Sequence, residues 1–82
     1  MTHVGKRLRD LRVRAGLKRE ELATAAGVGY GTIAMIEAGR ARNPKLDTIR
    51  RLARAIGEKT GKNELEVLGE LIGEGEVEHA HS

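Results

Sequence analysis

Cysteine, phenylalanine, tryptophan and glutamine are all missing from this 82-residue chain, and tyrosine, proline and serine occur once each. Without cysteine there is neither a disulfide nor a thiolate metal site, which agrees with an intracellular, cytoplasmic protein. Without large aromatics the core must be assembled from Leu, Ile, Val, Ala and Met, a palette that suits helices. Ser82 is the only serine, so no Ser–His–Asp set can form, and no cluster of acids and bases suggests a catalytic pocket. Neither enzymatic activity nor a cofactor is expected. The uncharged run from Leu22 to Ile36 is fifteen residues long and is interrupted by three glycines and two threonines. A bilayer requires roughly 18–20 apolar residues, so no membrane segment is expected. The N-terminal MTHVGKRLRDLR is charged where an export signal would be apolar.

What is present is charge, unevenly placed. Residues 1–54 carry 13 Lys and Arg against 5 Asp and Glu, and residues 55–82 carry 2 against 7. A basic body with an acidic C-terminal element suits a surface for polyanions, although a solvated helical surface has the same composition. No stretch alternates with period two, whereas apolar residues recur at helical spacing throughout. Val4, Leu8, Leu11 and Ala15 define a first helix, stopped by Gly16. Arg19 to Ala26 forms a second, with Glu20 and Glu21 in the first turn, where the helix dipole favours acids. A third begins near Tyr30, buries Ile33 and Ile36 and stops at Gly39. After the Asn43-Pro44 break, Leu46, Ile49, Leu52, Ala53 and Ile56 define a fourth helix, expected to end at Gly57. Asn63 and Glu66 have the spacing of a capping box opening a fifth, with Leu65, Val67, Leu68, Leu71 and Ile72. The expectation is an all-α domain over residues 1–73 and a flexible acidic, histidine-bearing tail over 74–82.

The stretch ATAAGVGYGTIAMIEAG, residues 23–39, has Glu37 as its only charge. Gly27-x-Gly29-x-Gly31 has some likeness to a phosphate loop, but such loops follow a strand and this follows a helix. Two short helices crossing at a tight turn explain the stretch better. Ala23 provides a small residue at the crossing, and Gly27 suits a turn residue at positive φ. Ile33 and Ile36 then pack back on Leu22 and Ala23. The pattern is a helix-turn-helix.

The segments AGLKREELA, AGV, TIAMIEAG and NPKLDTIRRLARAI, within Gly5 to Ile56, resemble the lambda-repressor-like helix-turn-helix family, in its Cro/xenobiotic-response-element branch. Helix five is similar to that family's usual fifth helix. The resemblance implies a small, dimeric, sequence-selective binder of double-stranded DNA acting as a transcriptional regulator, in all expectation a repressor. By the same resemblance, Arg19, Tyr30, Gly31 and Ala34 occupy base-reading positions on and beside helix three. Lys18, Arg40, Arg42 and Lys45 flank it as phosphate contacts. Arg12 and Glu37 match a structural ion pair. The family's readers are usually Gln, Ser, Arg or Asn, whereas this chain offers Tyr30, Gly31, Thr32, Ala34 and Met35. Direct readout is then limited to a tyrosine hydroxyl, Arg19 and methyl contacts to thymine. A protein-interaction adaptor on the same fold, such as a coactivator or antitoxin-like subunit, is the rival reading.

On helix five, Leu65, Leu68 and Ile72 are expected to seat the helix on helices one and four. That leaves Val67 and Leu71 as a dimer interface, unless these two only complete the core. His79 and His81 have the spacing of a weak metal pair, but in a tail; no metal site is expected. No small-molecule effector is evident.

Overall fold

Leu8, Leu22, Ile33, Leu52 and Leu71 are completely shut away from solvent, one from each of five helices that close around a single core. The computed structural model describes residues 4–41 and 43–73. The helices are α1 (Val4–Arg14), α2 (Arg19–Ala26), α3 (Tyr30–Glu37), α4 (Leu46–Thr60) and α5 (Glu64–Ile72). Among the described residues there is no strand, and no helix is long and apolar enough to cross a membrane. The fold is all-α, as the periodicity predicts.

The sequence writes most of the helix ends. After α2, Gly27 takes φ +67°. Its N–H donates to the Thr24 carbonyl at 3.4 Å, and Val28 N–H donates to the Ala23 carbonyl at 3.1 Å. This paired closure satisfies the last carbonyls of the helix and turns the chain sharply. The same closure ends α3, with Gly39 at φ +76° and Arg40 N–H donating to the Met35 carbonyl at 2.9 Å. At the other end of α2, the Glu21 carboxylate accepts the Lys18 N–H at 2.8 Å. Asn63 Oδ1 caps α5 by accepting the Leu65 N–H at 2.7 Å.

Two expectations are corrected. Helix α4 does not stop at Gly57 but runs to Thr60. Gly57 is buried there because the returning chain passes against it: a Cβ would lie 2.6 Å from the Lys62 carbonyl oxygen. Gly57 permits a close approach and does not break the helix.

The second correction concerns the faces of α5. Val67 and Leu71 have no exposed surface and belong to the core, whereas Leu65 is 70% and Ile72 45% exposed. Leu68 lies between, partly buried against the core. Five of the nine residues of α5 are apolar and lie on two adjoining faces, so apolar spacing does not choose between them. Packing against α4 and α1 places Val67 and Leu71 inward. In that orientation Glu64 is bonded to Arg50 and Arg54 of α4, at 3.4 and 3.2 Å, and Glu70 to Lys62 at 3.4 Å. Val67 and Leu71, expected at a dimer interface, instead complete the core.

Helices α1 and α3 meet at Gly5. A Cβ on Gly5 would run into the Ile36 carbonyl oxygen, a backbone atom that cannot swing away. Gly5→Ala should therefore cost about 1–3 kcal/mol, the usual range for overpacking. Gly31→Ala has open space around it and should instead stabilise α3 by up to ~1 kcal/mol. Thermal melts check both: Gly5→Ala should lower the melting temperature and Gly31→Ala should leave it level or raise it.

Candidate nucleic-acid interface

The Glu37 side chain, at the end of α3, is only 2% exposed. A carboxylate so enclosed is tolerated only with strong donors around it. Arg12 of α1 provides two, Nε donating to Oε2 at 2.7 Å and Nη2 to Oε1 at 3.1 Å. Arg19, the first residue of α2, provides the third, its Nε donating to Oε1 at 2.9 Å. Arg12 Nη1 donates onward to the Leu17 carbonyl at 3.0 Å. One carboxylate therefore joins α1, the α1–α2 connection, α2 and α3. Burial pushes the Glu37 carboxyl up, but the hydrogen bonds from Arg12 and then Arg19 outweigh it and hold it below its usual value. Among the described residues no buried side-chain polar atom lacks a partner.

Arg19 is anchored at one side and open at the other. Its side chain is 39% exposed, and its guanidinium is held above its usual pKa by Glu37 first and by the Tyr30 hydroxyl second. Tyr30, the first residue of α3, is half exposed. Two of the expected base-reading residues are thus brought together, Arg19 beside Tyr30, with Glu37 behind Arg19. The sequence pattern points to an Arg12–Glu37 pair and gives no sign of this third member.

On the outer side of α3, Gly31, Met35 and Ala38 are exposed, at the i, i+4 and i+7 spacing of one helical face. Ala34, expected at the surface, is half-buried, and Met35, which the resemblance does not single out, is 49% exposed. With Ile33 and Ile36 inward, helical spacing turns both Ala34 and Met35 away from the core and does not separate the half-buried one from the exposed one. Lys18 and Lys45, at the N-terminal caps of α2 and α4, and Arg40, just after α3, are all exposed. Arg42, His79 and His81 lie outside the described residues, as does the 74–82 tail. Among the described residues no group of metal-binding side chains converges.

A family model described as a helix-turn-helix domain matches residues 3–68. The chain belongs to the helix-turn-helix domain family. The cryptic phage CTXphi transcriptional repressor RstR of Vibrio cholerae is 43% identical to it over 51 residues, which cover 62% of this chain and 45% of the repressor. The chain therefore spans a little under half the length of that relative. No solved structure matches it. Within this helix-turn-helix domain, α2 and α3 are the two crossing helices, and the exposed Gly31–Met35–Ala38 face belongs to the second.

The carboxylate clamp predicts a pH dependence. A carboxyl held below its usual value in the folded state adds stability above its unfolded pKa, about 4.3 for Glu. That contribution is lost as pH falls through the folded value. Glu37→Gln leaves Arg12 enclosed without its counter-charge, at a cost of about 3–5 kcal/mol near neutral pH, reduced by the exposure of Arg19. The gap in melting temperature between the parent and Glu37→Gln should be widest at pH 7 and narrow steadily below about pH 4.3. Comparison with this variant matters because Glu64 is also lowered, chiefly by Arg54. A gap that stays constant into acid would show that the ionised carboxylate is not what stabilises the fold.

Proposed function

We propose that this domain binds double-stranded DNA with α3 in the major groove and acts as a small transcriptional repressor. The observation that carries this reading is the disposition of charge around α3. Its only ionic side chain, Glu37, is turned inward and neutralised by two arginines, while Lys18, Arg40 and Lys45, at the boundaries of α2, α3 and α4, are exposed. A helix presented in this way can approach a polyanion without repulsion, and the three exposed cations suit backbone phosphates. The first turn of α4 has no side-chain cap, which leaves N–H groups beside Lys45 that suit a phosphate. The likeness to a transcriptional repressor over 51 residues supports the same reading.

The repressor binds as a two-fold dimer through the outward stripe of α5, Leu65, Leu68 and Ile72, in place of Val67 and Leu71. Leu65 and Ile72 are large apolar side chains left in water, and the neighbouring glutamates make the helix a poor partner for DNA. A dimer would set two copies of α3 about 34 Å apart, matching a near-palindromic site. This exposed stripe also favours the second reading, an adaptor that binds another protein.

Titration of duplex DNA at several salt concentrations separates the two. The parent should lose affinity linearly on a log–log plot. Arg40→Glu and Lys45→Glu should each flatten the slope by about 1. In sedimentation, Leu65→Glu should convert a dimer into folded monomers with weaker DNA binding. A parent with no salt-dependent duplex affinity would leave the adaptor reading in place.

A further inference from the structure

The surface that α3 offers contains almost no hydrogen-bonding chemistry. Glu37 is enclosed by Arg12 and Arg19, and α3 has no amide or basic side chain. Two hydroxyls remain. The Tyr30 hydroxyl lies beside Arg19, and Thr32 Oγ1 lies over Gly29, 3.6 Å from where a Cβ on that glycine would be. Arg19, on α2, has its Nε committed to Glu37 Oε1 at 2.9 Å, which closes the side-on Nε/Nη pairing and leaves its two Nη groups for an end-on contact. Paired donor–acceptor recognition of guanine or adenine by α3 therefore has no side chain to perform it. What α3 does present is a thioether side chain, Met35, 49% exposed, standing next to a notch. The notch is made by Gly31, which has nothing within 4 Å of a would-be Cβ, and by the half-buried Ala34. Residues at i, i+3 and i+4 share a helix face, so Gly31, Ala34 and Met35 form one apolar step. The single apolar group displayed by the bases in the major groove is the 5-methyl of thymine.

We infer that Met35 is a specificity-determining residue that reads thymine 5-methyl groups, giving α3 an A·T-directed recognition almost free of base hydrogen bonds. This inference rests on the DNA-binding reading above. Methionine suits the task because its unbranched, polarizable chain adapts to an irregular surface. A bare backbone at Gly31 lets the base edge come close enough for the methyl to lose its water.

The test uses duplexes selected by the full chain from a random pool, then remade with deoxyuridine in place of thymidine, which removes only the methyl. Affinity should fall about fourfold for each thymine that Met35 covers, equivalent to about 0.8 kcal/mol. In Met35→Ala the thymine-to-uracil ratio should collapse to about one while the salt slope is unchanged, and Met35→Leu should retain the ratio. Because Met35 is half in water, both variants should fold. Equal, salt-dependent affinity for the two duplexes would overturn the methyl inference alone. So would a selected site with no thymine, or a ratio that survives in Met35→Ala. A chain that retains no duplex at any salt would overturn this inference together with DNA binding.

Discussion

A buried carboxylate ties together three of the five helices of this protein. Glu37 receives three hydrogen bonds from two arginines on two other helices, and its enclosure makes every one of them consequential. In water such an ion pair would contribute little. Inside the fold, loss of Arg12 or Glu37 leaves an enclosed charge without its main partner, which ties α1 to α3, and Arg19 adds α2 to the same carboxylate. The contact of Gly5 with the Ile36 carbonyl lies one residue from that carboxylate, so steric closure and electrostatic closure act at the same junction. Arg19 then carries the constraint outward. Because its Nε is fixed from behind, the remainder of its guanidinium and the adjacent Tyr30 meet the solvent in a set orientation.

Charge is unevenly placed along the chain. Basic residues flank α3 in sequence, and from Glu64 onward there is no lysine or arginine. Glu64 is drawn onto α4 by Arg50 and Arg54; these pairs are exposed and add little stability, but they consume cations that would otherwise extend the basic surface. Leu65 and Ile72 are left outward on the same helix. The two helices thus suit different surfaces: a polyanion at α3, a protein at α5.

The architecture was readable because local rules and tertiary packing agree along most of the chain. Leu8 and Leu11, or Ile49, Leu52 and Ile56, recur at helical spacing and are buried. Gly27 and Gly39 stop helices where a positive φ is required. The sequence was silent where tertiary contact decides. Gly57 looks like a helix stop, and only the returning Lys62 carbonyl gives it another purpose. The two apolar faces of α5 are indistinguishable by spacing, and only packing in the core separates them. In the candidate interface, the pairing of Arg12 on α1 with Glu37 at the end of α3 follows from the resemblance. The third partner, Arg19, does not, because nothing in residue spacing brings the start of α2 to the end of α3. Spacing turns both Ala34 and Met35 away from the inward isoleucines, and only the fold shows that Met35 is the more exposed of the two.

The central claim is that α3, positioned by Glu37, and the basic residues that flank it form the surface that meets DNA. Backbone amide shifts of the isotopically labelled chain, followed by NMR during titration with duplex DNA, test it most directly. The account predicts that the largest changes fall at Lys18 and Arg19, from Gly29 to Met35, and at Arg40, Ala41 and Lys45. Amides on the outer side of α1 around Arg9 and Val13 should stay in place. Changes concentrated on α1 or α5, with α3 undisturbed, would contradict it.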